Sequence, residues 1–250
     1  MSVRPTPSGV SSAKQMLFAL AGLLICGLWF ESTATDLLLQ RFFYDGAEQR
    51  WTWSGAEPIT RLFFYDGVKG ALIVFLFCLS ILLLLHRRLP RLGPYIRGIR
   101  IVVLSLTLVP ATVAALKVGT HVACPRDLEQ FGGELVYAKI FQHNSENGAN
   151  AGRQQCFPAA HASAGFSLLS LFFLFRSRRN RRRAVYASLT IGWTMGLYKI
   201  VIGDHFLSHT IVSMLLAWLI INGIVLMESR WQAQRCAVPI MRRWASGLKF

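Results

Sequence analysis

The amino-acid sequence predicts an all-α integral membrane protein with six transmembrane helices, and three observations carry that prediction. The 250 residues are 53% hydrophobic and 16% charged, with a mean hydropathy of +0.42, a balance that excludes a disordered tail and argues against an ordinary soluble domain. Six apolar stretches can each be helical: Gln15 to Phe30, Gly70 to Leu85, Ile101 to Leu116, Ala159 to Phe175, Ala184 to Ile202 and His209 to Met227. The charges between them sort by side. With the amino terminus in the cytoplasm, 18 of the 27 Lys and Arg fall inside and 11 of the 12 acids outside, Glu228 being the inner one. The Lys and Arg bias sets the orientation, and both termini are then cytoplasmic.

The first stretch follows Arg4 and Lys14 and ends near Ser32 and Ala34, as a cleavable signal peptide would. Cleavage would leave five spans and put the basic loops on the wrong side, so the stretch is read as a retained first helix. Several stretches are shorter than the roughly 20 residues a bilayer core requires, and flanks such as Arg87 and Lys117 must complete them by snorkelling. The first outer segment repeats a short pattern, "RFFYDG" at Arg41 to Gly46 and "LFFYDG" at Leu62 to Gly67. Aromatic helices ending at Asp-Gly suit an interfacial belt, with no catalytic role assigned. The basic run "RSRRNRRR" between the fourth and fifth stretches is read as a topology anchor rather than a lipid site. The organisation expected is residues 1–69 as first helix and outer segment, 70–227 as a transmembrane catalytic core, and 228–250 as a basic cytoplasmic tail.

The net charge of +15 would point to nucleic acid in a soluble chain, but the basic residues here flank apolar runs against the inner leaflet. A nucleic-acid partner is excluded. A channel or proton-coupled carrier is disfavoured because no Asp or Glu lies inside any of the six stretches. Among five cysteines, only Cys124 and Cys156 fall in the long outer loop. On an oxidising face they are natural disulfide partners, two free thiols being the alternative. The bridge would contribute about 3 to 4 kcal/mol by loop closure. No CxxC or comparable spacing supports a metal site, and none is expected. The loop from Val118 to Phe157, with Gly132, Gly133, Gly148 and Gly152, is long enough to act as a headgroup lid.

The chemistry concentrates in three clusters at the outer ends of spans, where ionisable groups are costly and usually functional. These are "KVGTHVACPRD" with Lys117 and Arg126, "CFPAAHASAG" with His161 behind Pro158, and "YKIVIGDHFLSH" with Lys199, His205 and His209. Antiparallel helices would bring cations and imidazoles around one small polar volume suited to an anion. Pro158 suits a helix start, and the amides of Ala160, His161 and Ala162 would face a phosphate there. His205 and His209, four residues apart, can share one helix face.

These clusters resemble the type 2 phosphatidic acid phosphatase (PAP2) superfamily of membrane lipid phosphatases, whose pattern is K-x6-R-P, then P-S-G-H, then S-R-x5-H-x3-D on a six-span core. The resemblance covers roughly residues 70 to 227. Lys117 takes the family lysine, Pro158 and His161 the ends of the second motif, and Lys199 stands six residues before His205, as the family arginine does. Four departures accompany it: Cys124 replaces the first-motif arginine, with Arg126 one step beyond Pro125; Ala159 and Ala160 replace Ser and Gly; Tyr198 and Lys199 replace Ser-Arg; and His209 replaces the terminal aspartate.

The resemblance implies a metal-independent membrane phosphatase without cofactor. His205 would form a phosphohistidine, His161 would protonate the leaving oxygen, and His209, Asp204 or Asp127 would orient the nucleophile. Lys117, Arg126, Lys199 and the Ala160 amide would hold the phosphate. It further implies an active site on the periplasmic face of a bacterial inner membrane and a phospholipid, polyprenyl diphosphate or lipid A substrate. The alternatives are a lipid-to-lipid phosphotransferase and a non-catalytic lipid-binding or transport relic. Oligomeric state is not legible in the sequence.

Overall fold

The computed structural model of the chain describes residues 9–55, 57–120, 122–139 and 154–247, with side chains between 11 and 234 of those ranges. Gly148 and Gly152 of the expected lid, and the Cys236 side chain, lie outside the described residues. The architecture is all-α. The long helices are α1 (Gly9–Ser32), α4 (Gly67–Leu85), α5 (Ile96–Gly119), α7 (Arg178–Val201) and α8 (Leu207–Gly247), with shorter α2 (Thr35–Gln40), α3 (Pro58–Arg61) and α6 (Ala160–Phe166) between them. An antiparallel hairpin of two-residue strands, β1 (Tyr44–Asp45) with β2 (Arg50–Trp51), lies between α2 and α3.

Each predicted apolar stretch coincides with a helix, but the expectation of six spans is met by four. Ser11–Ser32, Pro58–Arg88, Pro90–Gly119 and Leu207–Gln234 are long and apolar enough to cross a membrane, which marks the chain as a membrane protein. The fourth stretch runs only over Ala160–Phe173. The fifth lies in α7, where Ser177 caps the amide of Asn180 at 3.2 Å and draws the arginines of the basic run into the first turns. Those arginines lower the apolar character of a helix whose length would suffice. The last helix continues to Gly247 without a break at residue 227.

α5 is the centre, packing on α6, on the 3₁₀ continuation of α6 over Ser167–Phe173, and on α8, while α1 lies along α8 and α4 touches α5. The apolar core joins Val109 of α5, Ala162 and Phe166 of α6, Leu169, and Ala217 and Ile221 of α8. Buried serines within the bundle bond to carbonyls of the preceding turn: Ser105 to Ile101 at 2.7 Å, Ser188 to Ala184 at 2.6 Å and Ser213 to His209 at 2.8 Å. No hydroxyl of these three is then left unpaired in an apolar environment. At the end of the bundle away from Lys117, Glu228 pairs with Arg100 at 3.0 Å, and Arg100 covers the Trp231 ring at 4.5 Å.

Close approach of α6 and α7 rests on two glycines. A Cβ on Gly165 would lie 2.7 Å from the Cα of Gly192, and a Cβ on Gly192 would lie 2.3 Å from the buried Phe166 ring. Gly192→Ala is expected to destabilise the protein: overpacking costs about 1–3 kcal/mol against a helix-propensity gain of at most about 1 kcal/mol. A lowered thermal midpoint in detergent is the expected readout, and an unchanged or raised midpoint would contradict this packing.

Candidate active site

The turn between α7 and α8 is the structural centre of the site. The main-chain amides of Asp204 and His205 both donate to the carbonyl of Lys199, at 2.8 and 3.2 Å, folding residues 200–205 back on the end of α7. Gly203 occupies the left-handed region at φ +78°, and the Trp51 ring lies over it where a Cβ would clash at 2.4 Å. A side chain there would be strained by the backbone and excluded by the indole. The Gly203 carbonyl in turn accepts from the Arg126 amide at 2.9 Å, tying the loop after α5 to the turn.

Three of the cluster residues meet through one carboxylate. Asp204 pairs with the Lys199 ammonium at 2.6 Å and with Arg126 Nη1 at 2.6 Å, and the Lys199 Nζ also stands 4.5 Å over the Tyr65 ring. Lys117, half-buried at the end of α5, lies within electrostatic range of Lys199, Asp204 and the three imidazoles. Ala160 opens α6, whose first turn has no side-chain cap. The structure thus brings Arg126 and Lys199 onto the two oxygens of Asp204, with Lys117 in electrostatic range.

The imidazoles form a second group. The ring centroids of His161 and His205 are 6.3 Å apart and those of His205 and His209 are 5.7 Å apart. His205 and His209 are both buried. Burial, reinforced by His209 and Lys117, holds His205 well below the ordinary imidazole range, so its ring is neutral near pH 7. Its Nδ1 faces the Cys156 sulfur at 3.6 Å. Cys156 is bonded to Cys124, the pairing expected of these two cysteines, and the bridge holds the loop after α5 against the turn.

The orienting group expected for His205 takes a different place. Asp204 is engaged by Lys199 and Arg126, and Asp127 lies 3.8 Å from Arg126. His209 packs edge-on against Phe157 and Phe206, and its ring reaches the Cys156 main chain. Among the described residues no carboxylate bonds to the His205 ring. The physical reason is charge: two cations within reach outcompete a neutral imidazole for a carboxylate. The ring nitrogens of His205 and His209 and the Cys156 sulfur gather within 4.8 Å, but a disulfide sulfur offers no thiolate, which removes one donor of that set.

Tyr65 is the residue that sequence reasoning missed. Its hydroxyl lies 2.8 Å from His161 Nε2, and its ring receives the Lys199 ammonium. The two copies of the aromatic repeat therefore differ. Tyr44 of the first packs with Trp51 and Phe131 in an aromatic cluster, whereas Tyr65 of the second enters the site. The second copy forms a wide helical turn, Leu62–Asp66, continuous with α4, and this turns its tyrosine inward. A cavity of about 790 Å³ opens beside the clamp, lined by Trp53, Glu57, Arg61, Tyr65, Arg126, Lys199 and Asp204 among others. The three histidines do not line it; Tyr65 and Lys199 connect it to them.

The site thus sets clustered cations and three imidazoles at one end of a helical membrane protein. The sequence profile of the PAP2 superfamily matches residues 98–233, more than half of the chain, and the chain belongs to that superfamily of phosphatases. The match begins within α5, so α4, placed in the core by the sequence reading, lies outside it. No curated protein and no solved structure matches the chain.

Proposed function

We propose that the chain is a membrane phosphatase that hydrolyses a lipid phosphate or diphosphate at the outer, periplasm-like face of a six-helix bundle, through a phosphohistidine on His205. The observation that carries this reading is the meeting of His161 and His205, 6.3 Å apart, with a Lys199–Asp204–Arg126 ion network. A neutral His205 attacks phosphorus with one ring nitrogen while the P–O bond to the lipid breaks. His161 enters the cycle as the imidazolium, a form that burial and the neighbouring Lys199 and Lys117 disfavour and the substrate phosphate favours, and passes its proton to the departing oxygen, with Tyr65 holding its ring in place. Water then attacks phosphorus, the P–N bond breaks, the water's proton returns to His161, and phosphate leaves with His205 restored. Lys117, Arg126, Lys199 and the Ala160 amide neutralise the non-bridging oxygens, where charge in phosphoryl transfer resides.

The phosphate must compete with Asp204 for Lys199 and Arg126, since both cations are already paired. The cavity volume falls in the range of pockets for organic ligands rather than bare ions. Its polar walls, shared with Tyr65 and Lys199, suit the polar body of a lipid headgroup. The test is phosphate release by the purified protein in detergent, without divalent metal, from polyprenyl diphosphate, phosphatidate, phosphatidylglycerol phosphate and lipid A. Release from any of them supports the reading and names the substrate. Labelled phosphate that appears only on a second lipid assigns a transferase, and lipid binding without transfer assigns a relic.

A further inference from the structure

The segment outside the family match grips both ends of the turn that carries His205. On α2, Gln40 is fully buried and its Nε2 donates to the carbonyl of Ile200 at 2.7 Å. One helical turn earlier, Asp36 is also buried, and its Oδ1 accepts from the amide of Ser208 at 3.0 Å. The Leu207 amide reaches the same carboxylate. Ile200 ends the run into the turn and Ser208 starts the run out of it, with Asp204 and His205 between them.

Each bond ties the turn to an element remote in the chain. The first amides of α8 have no intrahelical acceptor, and a carboxylate at that end also meets the positive pole of the helix. Asp36 supplies this cap from a distant part of the chain. Gln40 gives the Ile200 carbonyl, which already accepts from the Gly203 amide at 3.1 Å, a second donor on a remote element, and so ties the end of α7 to α2. The buried Gln40 amide nitrogen and the buried Asp36 carboxylate each offset part of their desolvation by bonding to the main chain of the turn, which is thereby held at two points. An imidazole placed for in-line attack tolerates little displacement.

We infer that Asp36 and Gln40 are positioning residues that hold the 200–208 turn, and with it the His205 ring, in the geometry for attack; this rests on the phosphatase reading above. Neither residue touches His205, so neither is a catalytic residue. Asp36→Ala and Gln40→Leu are expected to lower kcat on the order of 10- to 100-fold with KM nearly unchanged. Asp36→Asn, which keeps the acceptor oxygen, is expected to restore most of the loss. A kcat per folded molecule equal to the parent's in both variants, or no restoration by Asn, would overturn the inference.

Amide hydrogen exchange supplies a readout that does not depend on turnover. Exchange across residues 200–208 is expected to accelerate in the Ala and Leu variants while that of α5 and α6 stays at the parent's rate. A parent that releases no phosphate but shows this local acceleration would sink the phosphatase reading and leave the clamp standing. Unchanged exchange in the turn would sink the clamp whatever the activity.

Discussion

His205→Ala is expected to abolish phosphate release, by roughly ten-thousand-fold or more, because it removes the atom that bonds to phosphorus. No neighbour can substitute. His161 is committed to Tyr65, and the buried His209 ring is packed between Phe157 and Phe206. Because His205 is buried, the truncation leaves a cavity, and His205→Asn provides a variant of closer volume with the same expected loss. A folded variant that still releases phosphate at the parent's rate would end the phosphohistidine mechanism.

The same residue makes a prediction about acid stability. Its folded-state pKa is lowered below the ordinary imidazole value by burial first and by His209 and Lys117 next. As pH falls below about 6.5, the unfolded chain takes up a proton that the folded ring refuses, so stability falls with pH in that window. The thermal midpoint of the parent is expected to drop between pH 7 and pH 5, and that of His205→Asn to drop less. Equal drops in the two proteins would show that the ring is not held neutral.

Lys199→Ala is expected to lower kcat/KM by about 10²- to 10³-fold, the loss typical of one preorganised charge at a developing anion. The Lys199 side chain is 13% exposed, and it reaches both the Asp204 carboxylate and the Tyr65 ring. Truncation leaves Asp204 to Arg126 alone and opens the wall between the cavity and His161. Lys199→Arg is expected to recover much of the activity, because a planar fork can bridge two phosphate oxygens where an ammonium is a point charge. A kcat/KM unchanged in Lys199→Ala would remove this residue from the clamp.

The cations and imidazoles of the site were legible because membrane energetics make such groups rare near the ends of apolar helices. Lys117, His161, Lys199 and His205 stood out on spacing alone. Tyr65 did not, because a tyrosine at a membrane boundary has an ordinary reason to be there and only its neighbour distinguishes it. Asp36 and Gln40 were hidden in the same way. In "TDLLLQ" they read as the polar face of a short interfacial helix, and their partners are backbone groups more than 150 residues away, which carry no side-chain signature.

The sequence by itself determined the all-α membrane character, the positions of the long helices and the set of cations and imidazoles, since hydropathy and charge act locally and are read residue by residue. It also placed Cys124 and Cys156 in one loop. Only the tertiary structure decided which groups pair. Asp204 went to Lys199 and Arg126 rather than to His205, because opposite charges brought within 3 Å outweigh a neutral acceptor. The remote α2 became the cap of α8 because a buried helix end must find its acceptors wherever the packing brings them.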